Sequence, residues 1–526
     1  MKIDFVHPAH YRDDGSLVQG KGLLARLDAY LPHLGLPLLA AHTPPGHELR
    51  LIEEYLEDID WDRQPDLVAL SAQIMQIDRA KDIARAWRAR GVKTVLGGYL
   101  PSLMPEAVEG YFDAIVPGEG DGVWAQVVAD AEAGRLAPRY EARETYDLAQ
   151  LPVPRYDLIK ANRLVVYPVQ ATRGCPFRCT YCSIAAVYDG ADRTRPVADI
   201  LRDIEATGSR NINFCDDNLC EKVRFAEELF DAMAGTRVRW GTQTTINVAR
   251  HPALLEKARK AGCSLMALGV ETLSARNLAE VDKTFHRVDR FAEGFRRIQD
   301  AGISPHALII FGLPEDDLDV FKKTVDYLAD LKVPIAQFFL LTPYPGTKNG
   351  DALWDTTVFD KNPAHLREPY VVFQPERLTP DQLRAGWWSA LEDFYSLGSI
   401  VRRVPLRRRN RGRLIDLATN LCTGSRSSAA STRCTSMTGT LASRPPRWWL
   451  IWPGPGRRHP RCGATSAGTT RRPRRPSSQP TRPSRAQPIR PAWPWSRWPR
   501  AALALPRCSR GSGASRPASA PARRCG

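Results

Sequence analysis

Between residues 1 and about 135, short apolar runs alternate with stretches in which apolar residues return every three or four positions. The runs are KIDFVH, PLLAAH, DLVALS, KTVLGG and DAIVPG; between two of them Ile83, Ala86 and Trp87 suit one face of an amphipathic helix. This alternation predicts a doubly wound parallel sheet, because parallel strands are buried on both faces and need crossover helices. Ligands of such sheets bind beyond the carboxyl ends of the strands. Those ends carry Ser71–Ala72–Gln73, Gly97–Gly98–Tyr99 and Gly118–Glu119–Gly120.

A proline-containing connector is predicted over 136–163, centred on LPVPRYDL. A second alternating series then fills 164–348, with strands in VVYPVQATRG, NINFCDD, VRWGTQTTI, LMALGVET, HALIIFGLP and AQFFLLTP. Val288, Phe291, Phe295 and Ile298 are spaced 3, 4, 3, and Leu318, Phe321, Val325 and Leu328 likewise. Each set lays one apolar stripe along a helix. Six βα units predict a partial (β/α)6 barrel, whose chemistry gathers at the carboxyl ends of its strands. Residues 349–420 read as helical, with Thr379 capping a helix that carries Leu383, Trp387, Leu391 and Phe394.

Charge changes this picture only at the end of the chain. Val401–Gly526 holds 28 arginines, no lysine and the single acid Asp416, a charge of +27; against the net +16, the first 400 residues carry −11. From Cys422 onward there is no Asp, Glu or Lys, and no helical or strand period survives. A segment of this kind, 421–526, is expected to be disordered, because it cannot bury enough apolar surface to offset chain entropy. A basic nucleic-acid arm would mix Lys with Arg and rarely carry the six tryptophans and five cysteines found here. A GC-rich gene read out of frame yields this mixture of Arg, Pro, Ala, Gly, Ser and Trp, so the tail reads as a frameshift and no nucleic-acid partner is expected. There is no run of about 18 apolar residues and no apolar leader in MKIDFVHPAHYRDD, which predicts a cytoplasmic protein with no transmembrane segment. In a reducing compartment the eleven cysteines are metal ligands or buried thiols.

Three of them, Cys175, Cys179 and Cys182, stand in RGCPFRCTYC with the spacing Cys-x3-Cys-x2-Cys. Three thiolates in one loop can hold three irons of a cubane cluster and leave the fourth open. Structural zinc normally needs a fourth ligand close by. Cys215, Cys220 and Cys263 lack a compact ligand spacing and read as buried thiols.

With an aromatic residue, Tyr181, ahead of the third cysteine, this pattern resembles the signature of radical S-adenosylmethionine (SAM) enzymes, and the likeness extends over residues 2–420. The resemblance implies a [4Fe–4S] cluster on Cys175, Cys179 and Cys182 and SAM chelating the open iron. One electron then cleaves SAM to methionine and a 5′-deoxyadenosyl radical that abstracts hydrogen from an unreactive carbon. It further implies SAM contacts from Tyr181, Asp216, Asp217 or Asn218, Gln243 and Thr245, Glu271, and the turn of Gly312 and Pro314. Arg195 resembles a recurrent arginine after the cluster loop.

The runs SAQIMQ, VLGGYLPS and DAIVPGEGDG resemble the cobalamin-binding domain that precedes many radical SAM barrels. The corrin would lie over Ser71, Gln73, Gly97, Gly98, Gly118, Glu119 and Gly120. Asp-x-His-x-x-Gly, the pattern of domains that ligate cobalt from below, is absent, as it is in many radical SAM relatives. The family reading is therefore an α/β protein: a Rossmann-like cobalamin domain at 1–135, a partial radical SAM barrel, a helical region and a tail. The expected activity is cobalamin-dependent C-methyltransfer to a small molecule, with electrons from a flavodoxin or ferredoxin. The alternatives are oxidative cyclisation or ring rearrangement on the same architecture, and a non-catalytic metal-binding or redox-sensing protein.

Overall fold

A computed structural model describes residues 1–19, 31–142, 144–160 and 166–403. The tail and the helical reading of 404–420 lie outside the described residues.

The N-terminal sheet contains β1 (Lys2–His7), β2 (Glu48–Glu53), β3 (Leu67–Ser71), β4 (Lys93–Gly97) and β5 (Ala114–Ile115). All pair in parallel in the order β2-β1-β3-β4-β5. The connectivity reverses between β1 and β3, which puts the ligand crevice of such a sheet outside His7 and Ser71. Apolar residues fill both faces: Ile3, Phe5, Ala69 and Val95 pack on one side with Trp124, and Val6, Val68, Leu70 and Leu96 on the other with Ile83 and Trp87.

One expected strand is a helix. PLLAAH belongs to the helix Gly35–Ala41, and ELRLIE supplies β2 instead. Short apolar runs do not declare their period. Leu36, Pro37, Leu38 and Ala40 are buried, a set that packs equally well on a short helix.

The second sheet contains β6 (Tyr167–Val169), β9 (Asn211–Phe214), β10 (Arg239–Thr244), β11 (Cys263–Glu271), β12 (Ser304–Phe311) and β13 (Ile335–Leu340). Its order is β13-β12-β11-β10-β9-β6, all parallel, which is the expected six-stranded partial barrel. VVYPVQATRG does not form one strand. It breaks after β6 and continues as β7 (Thr172–Gly174), which pairs antiparallel with β8 (Asp192–Thr194). The cysteine loop therefore sits inside a hairpin at the carboxyl end of β6.

The helical stripes pack as their spacing requires: Phe291, Phe295 and Ile298 are buried on Phe291–Asp300, and Phe321, Val325 and Leu328 on Val320–Asp330. Leu318 lies ahead of its helix and is exposed. Thr379 caps Pro380–Phe394 in a capping box with Gln382. That C-terminal region covers the free edge of β13. The Tyr395 hydroxyl bonds both the N–H and the carbonyl of Ala336, Trp387 Nε1 donates to the Phe338 carbonyl at 2.8 Å, and Leu340 N–H donates to Glu368. Beyond them Arg403, 1% exposed, lies 3.5 Å from the Phe394 ring centroid and donates to the carbonyls of Val333, Pro334 and Phe394.

Candidate active site

Gly174 ends β7 with a φ of +88°, and a Cβ there would lie 2.0 Å from the Ala191 carbonyl oxygen. Only glycine lets the hairpin close this tightly immediately before Cys175. The loop returns into the helix Ser183–Tyr188. Cys175, Cys179 and Cys182 line one cavity of about 350 Å³ at the carboxyl ends of β9–β13. Burial pushes the Cys175 thiol up to about 11, Cys179 up to about 12, and Cys182 upward. Donors oppose this: the Phe177 N–H and Asn218 Nδ2 (3.8 Å) act on Cys175, the N–H groups of Ala185 and Ile184 on Cys182, and the Lys283 ammonium on Cys179. Metal binding at such a site displaces protons from thiols whose anions the surroundings already solvate. Three cysteines so placed fit a cubane cluster with one open iron.

The cavity wall contains Tyr181, Asp217, Asn218, Gln243, Thr245 and Glu271. Asp217 accepts the Gly174 N–H at 3.1 Å, and burial raises its carboxyl to about 6. Asn218 bridges the strand ends, accepting from Thr244 Oγ1 and Thr245 N–H while its amide reaches Cys175 and Glu221. Glu271 ends β11 with φ at +66° and pairs with Lys283 Nζ at 2.6 Å, both side chains under 10% exposed. Gly269 makes room for this pair, since a Cβ there would lie 2.6 Å from Glu271 Oε1 and 3.0 Å from Lys283 Nζ.

Three expected SAM-side residues stand apart from the cavity. Asp216 turns inward and accepts from the N–H groups of Ala171 and Thr172 and from Thr172 Oγ1, so it clamps the break between β6 and β7. Burial raises its carboxyl to about 7. Arg195 is buried against Asp203 and the Gln170 carbonyl. Gly312, with φ at +98°, donates its N–H to Asp316 and packs against Leu383 and Phe373.

Lys283 is the cavity residue that the sequence reading missed. It lies in EVDKTF, where a lysine looks like any solvated loop cation. The signal was Gly269: a glycine inside a strand often marks a close approach. The reading also missed the apolar and polar wall supplied by Leu308, Ile310, Phe339, Leu341, Tyr344 and Glu368.

The N-terminal strand ends meet this site. The helix Tyr99–Leu103 packs on Ser183–Tyr188, and Tyr99, its phenol pushed well up by burial, lies near Tyr188, Asp217 and Cys182. Glu119 faces Arg193 and, at 3.4 Å, Arg173, so its carboxylate joins the two domains. Asp121 binds Arg173 at 2.7 Å, with His42 at 3.4 Å on its other side.

Gly98 has φ at +93°, and a Cβ there would crowd the Ala72 carbonyl (2.8 Å) and Ser71 Oγ (2.9 Å). The backbone of Gly118, φ +74°, faces open space, whereas Gly120 packs toward Leu39. Gly97 ends β4, and Gln73 is exposed beyond β3. Leu36 N–H donates to His33 Nδ1 at 3.3 Å, which assigns the ring hydrogen to Nε2 and makes Ser71 Oγ, 3.3 Å away, its acceptor. The Ser71 hydroxyl hydrogen is then available to a further acceptor. The open backbone at Gly118 and the exposed Gln73 leave room for a large flat ligand to approach the strand ends.

Two family models match this chain. The radical SAM superfamily model matches residues 169–328, and the B12 binding domain model matches 20–128. The chain is 24% identical over 355 residues to bacteriochlorophyllide d C-12(1)-methyltransferase of Chlorobaculum tepidum, covering 64% of this chain and 76% of the relative. It is 25% identical over 423 residues to hopanoid C-2 methylase of Rhodopseudomonas palustris, covering 76% and 78%. It is also 25% identical over 438 residues to the anaerobic magnesium-protoporphyrin IX monomethyl ester cyclase of Cereibacter sphaeroides, covering 75% and 70%. Among solved structures, the radical SAM methyltransferase TsrM of Kitasatospora setae, with cobalamin and a [4Fe–4S] cluster bound, superposes with a TM-score of 0.59. Identity there is 14%, covering 82% of this chain and 99% of that one.

Proposed function

The chain is a cobalamin-dependent radical SAM enzyme, and from that premise we propose that it transfers a methyl group to an unreactive carbon of a small-molecule substrate. The observation that carries this reading is the meeting of the two sites. The cysteine cavity and the strand-end loops of the B12 domain adjoin, joined by Arg173 and Arg193 to Asp121 and Glu119. The curated methyltransferases that the chain resembles support it.

When bound, the cluster supplies the electron for SAM cleavage and cobalamin supplies a methyl carrier. Cys175, Cys179 and Cys182 would hold the cluster, with Asn218 and the loop N–H groups solvating the thiolates. Asp217, Gln243, Thr245 and the Glu271–Lys283 pair would surround SAM, their charges set against its ammonium and carboxylate. Leu308, Ile310, Phe339 and Leu341 would give the substrate an apolar wall that excludes water, and Tyr344 and Glu368 would orient its polar groups. Gly118, Gly98, Gln73 and Ser71 would face the corrin.

The test is product analysis after anaerobic reconstitution and reduction. Methyl transfer gives S-adenosylhomocysteine together with 5′-deoxyadenosine, in step with methylated product. Formation of 5′-deoxyadenosine alone would favour cyclisation, the activity named for one relative. A reconstituted protein that cleaves no SAM would favour a non-catalytic role.

A further inference from the structure

A basic groove beyond the cysteine loop has no part in the chemistry described above. Between this groove and the cysteines, Phe177, which lies between Cys175 and Cys179, stacks on Phe285 with ring centroids 3.6 Å apart; both rings are half-buried and also line the cysteine cavity. The backbone ties the same segments together, since Thr180 N–H donates to the Val281 carbonyl at 3.2 Å. Just past Phe285 stand Arg287 and Arg290, and across a groove of about 370 Å³ stand Arg250 and Arg297, all four exposed. The acids nearby are Glu293, bound by Arg290 and Arg297, and Asp289, bound by Arg287. Four guanidiniums thus meet two carboxylates, and Arg250 makes no ion pair among the described residues. This basic face lies on a body whose first 400 residues carry −11.

We propose that this face docks an acidic protein that carries single electrons, and that the stacked phenylalanines mark where it reaches the cluster. The inference rests on the cluster reading of Cys175, Cys179 and Cys182. In the transfer the carrier is oxidised by one electron and the cluster is reduced by one, and no bond or proton need move. Arginine and aromatic side chains together are the composition of binding hot spots. Charges at the rim of a contact act mainly on association rate and salt dependence, which suits a partner that must arrive, deliver and leave. A small bound anion fits less well. The guanidiniums are exposed rather than enclosing a point, and Glu293 and Asp289 already occupy three of them.

The experiment uses the reconstituted holoenzyme and the variant Arg250→Glu/Arg287→Glu, neither residue lining the cysteine cavity. Electrons come from dithionite or from a reduced bacterial flavodoxin, the acidic probe, and 5′-deoxyadenosine is measured. With dithionite the variant should match the wild type. With flavodoxin its apparent second-order rate constant should fall roughly tenfold at low salt, and the wild-type rate should fall as salt rises while the variant's stays flat. If charge reversal prevents folding, Arg250→Gln/Arg287→Gln carries the same expectation with a smaller, roughly threefold fall. An unchanged flavodoxin-driven rate in the variant, or a wild-type rate indifferent to salt, would overturn the docking face. A wild type that cleaves no SAM even with dithionite would overturn the cluster reading instead.

Discussion

Arg173, two residues ahead of Cys175, donates from Nη1 to Asp121 Oδ2 at 2.7 Å, with side chains 8% and 9% exposed. One buried ion pair thus fixes the cysteine-loop hairpin to the B12 domain. Breaking a buried pair leaves an uncompensated charge, so Asp121→Ala should destabilise the protein by about 3 kcal/mol, the low end because Glu119 remains near Arg173. Burial pushes the Asp121 carboxyl up, but the Arg173 guanidinium bonded to it and the neighbouring His42 ring outweigh this and hold the group well below its usual 3.8. A depressed carboxyl contributes stability that is present above the unfolded value and lost as pH falls through the folded one. Urea denaturation should therefore show wild-type stability declining below about pH 4 more steeply than that of Asp121→Ala.

Cys179→Ala should abolish SAM cleavage and lower iron incorporation, whereas Cys263→Ala, buried 2% exposed in the barrel core, should keep both. Iron counts and 5′-deoxyadenosine assays on the two proteins check this. Retained cleavage in Cys179→Ala would refute the ligand assignment.

Lys283→Met leaves Glu271 an unpaired carboxylate in a buried site, a loss of about 3–5 kcal/mol. Adding Glu271→Gln should recover most of it, because the charge that needed a partner is gone. Thermal melts of the two single variants and the double variant give the coupling directly. Additive losses would show that the pair at 2.6 Å contributes nothing.

Gly98→Ala places a Cβ against the Ala72 carbonyl and Ser71 Oγ at a positive φ, so the β4 turn must shift. The expected outcome is a cobalamin stoichiometry reduced several-fold with the cluster content intact. Full cobalamin occupancy in the variant would remove Gly98 from the corrin-facing set.

The strands and the cysteine loop were legible because their signals are local. Parallel strands read as apolar runs, and the three cysteines lie within eight residues of one another. What was not legible depends on distance or on sub-residue geometry. Lys283 meets Glu271, twelve positions earlier, across the helix Ala275–Glu280 and a turn at Asp282 with φ at +55°. Arg173 and Asp121 are 52 residues apart, and nothing in either neighbourhood names the other. Asp216 and Asp217 are adjacent at a strand end, where alternation sends one inward to backbone donors and the other to the cavity. The sequence pattern marks the pair but does not say which is which. PLLAAH failed for the reason short apolar runs fail: six residues do not span two helical turns.

The side chains over the outer margin of β13 bear on how this protein behaves in a crowded cell. An open barrel ends in a strand whose unpaired N–H and carbonyl groups could template β-addition by another molecule. Tyr395, Trp387 and Glu368 occupy those groups at Ala336, Phe338 and Leu340. Glu368 also lines the cysteine cavity, so one of the three side chains covering this margin belongs to the cavity wall as well. Tuning that position for a new substrate would therefore put solubility at stake along with specificity.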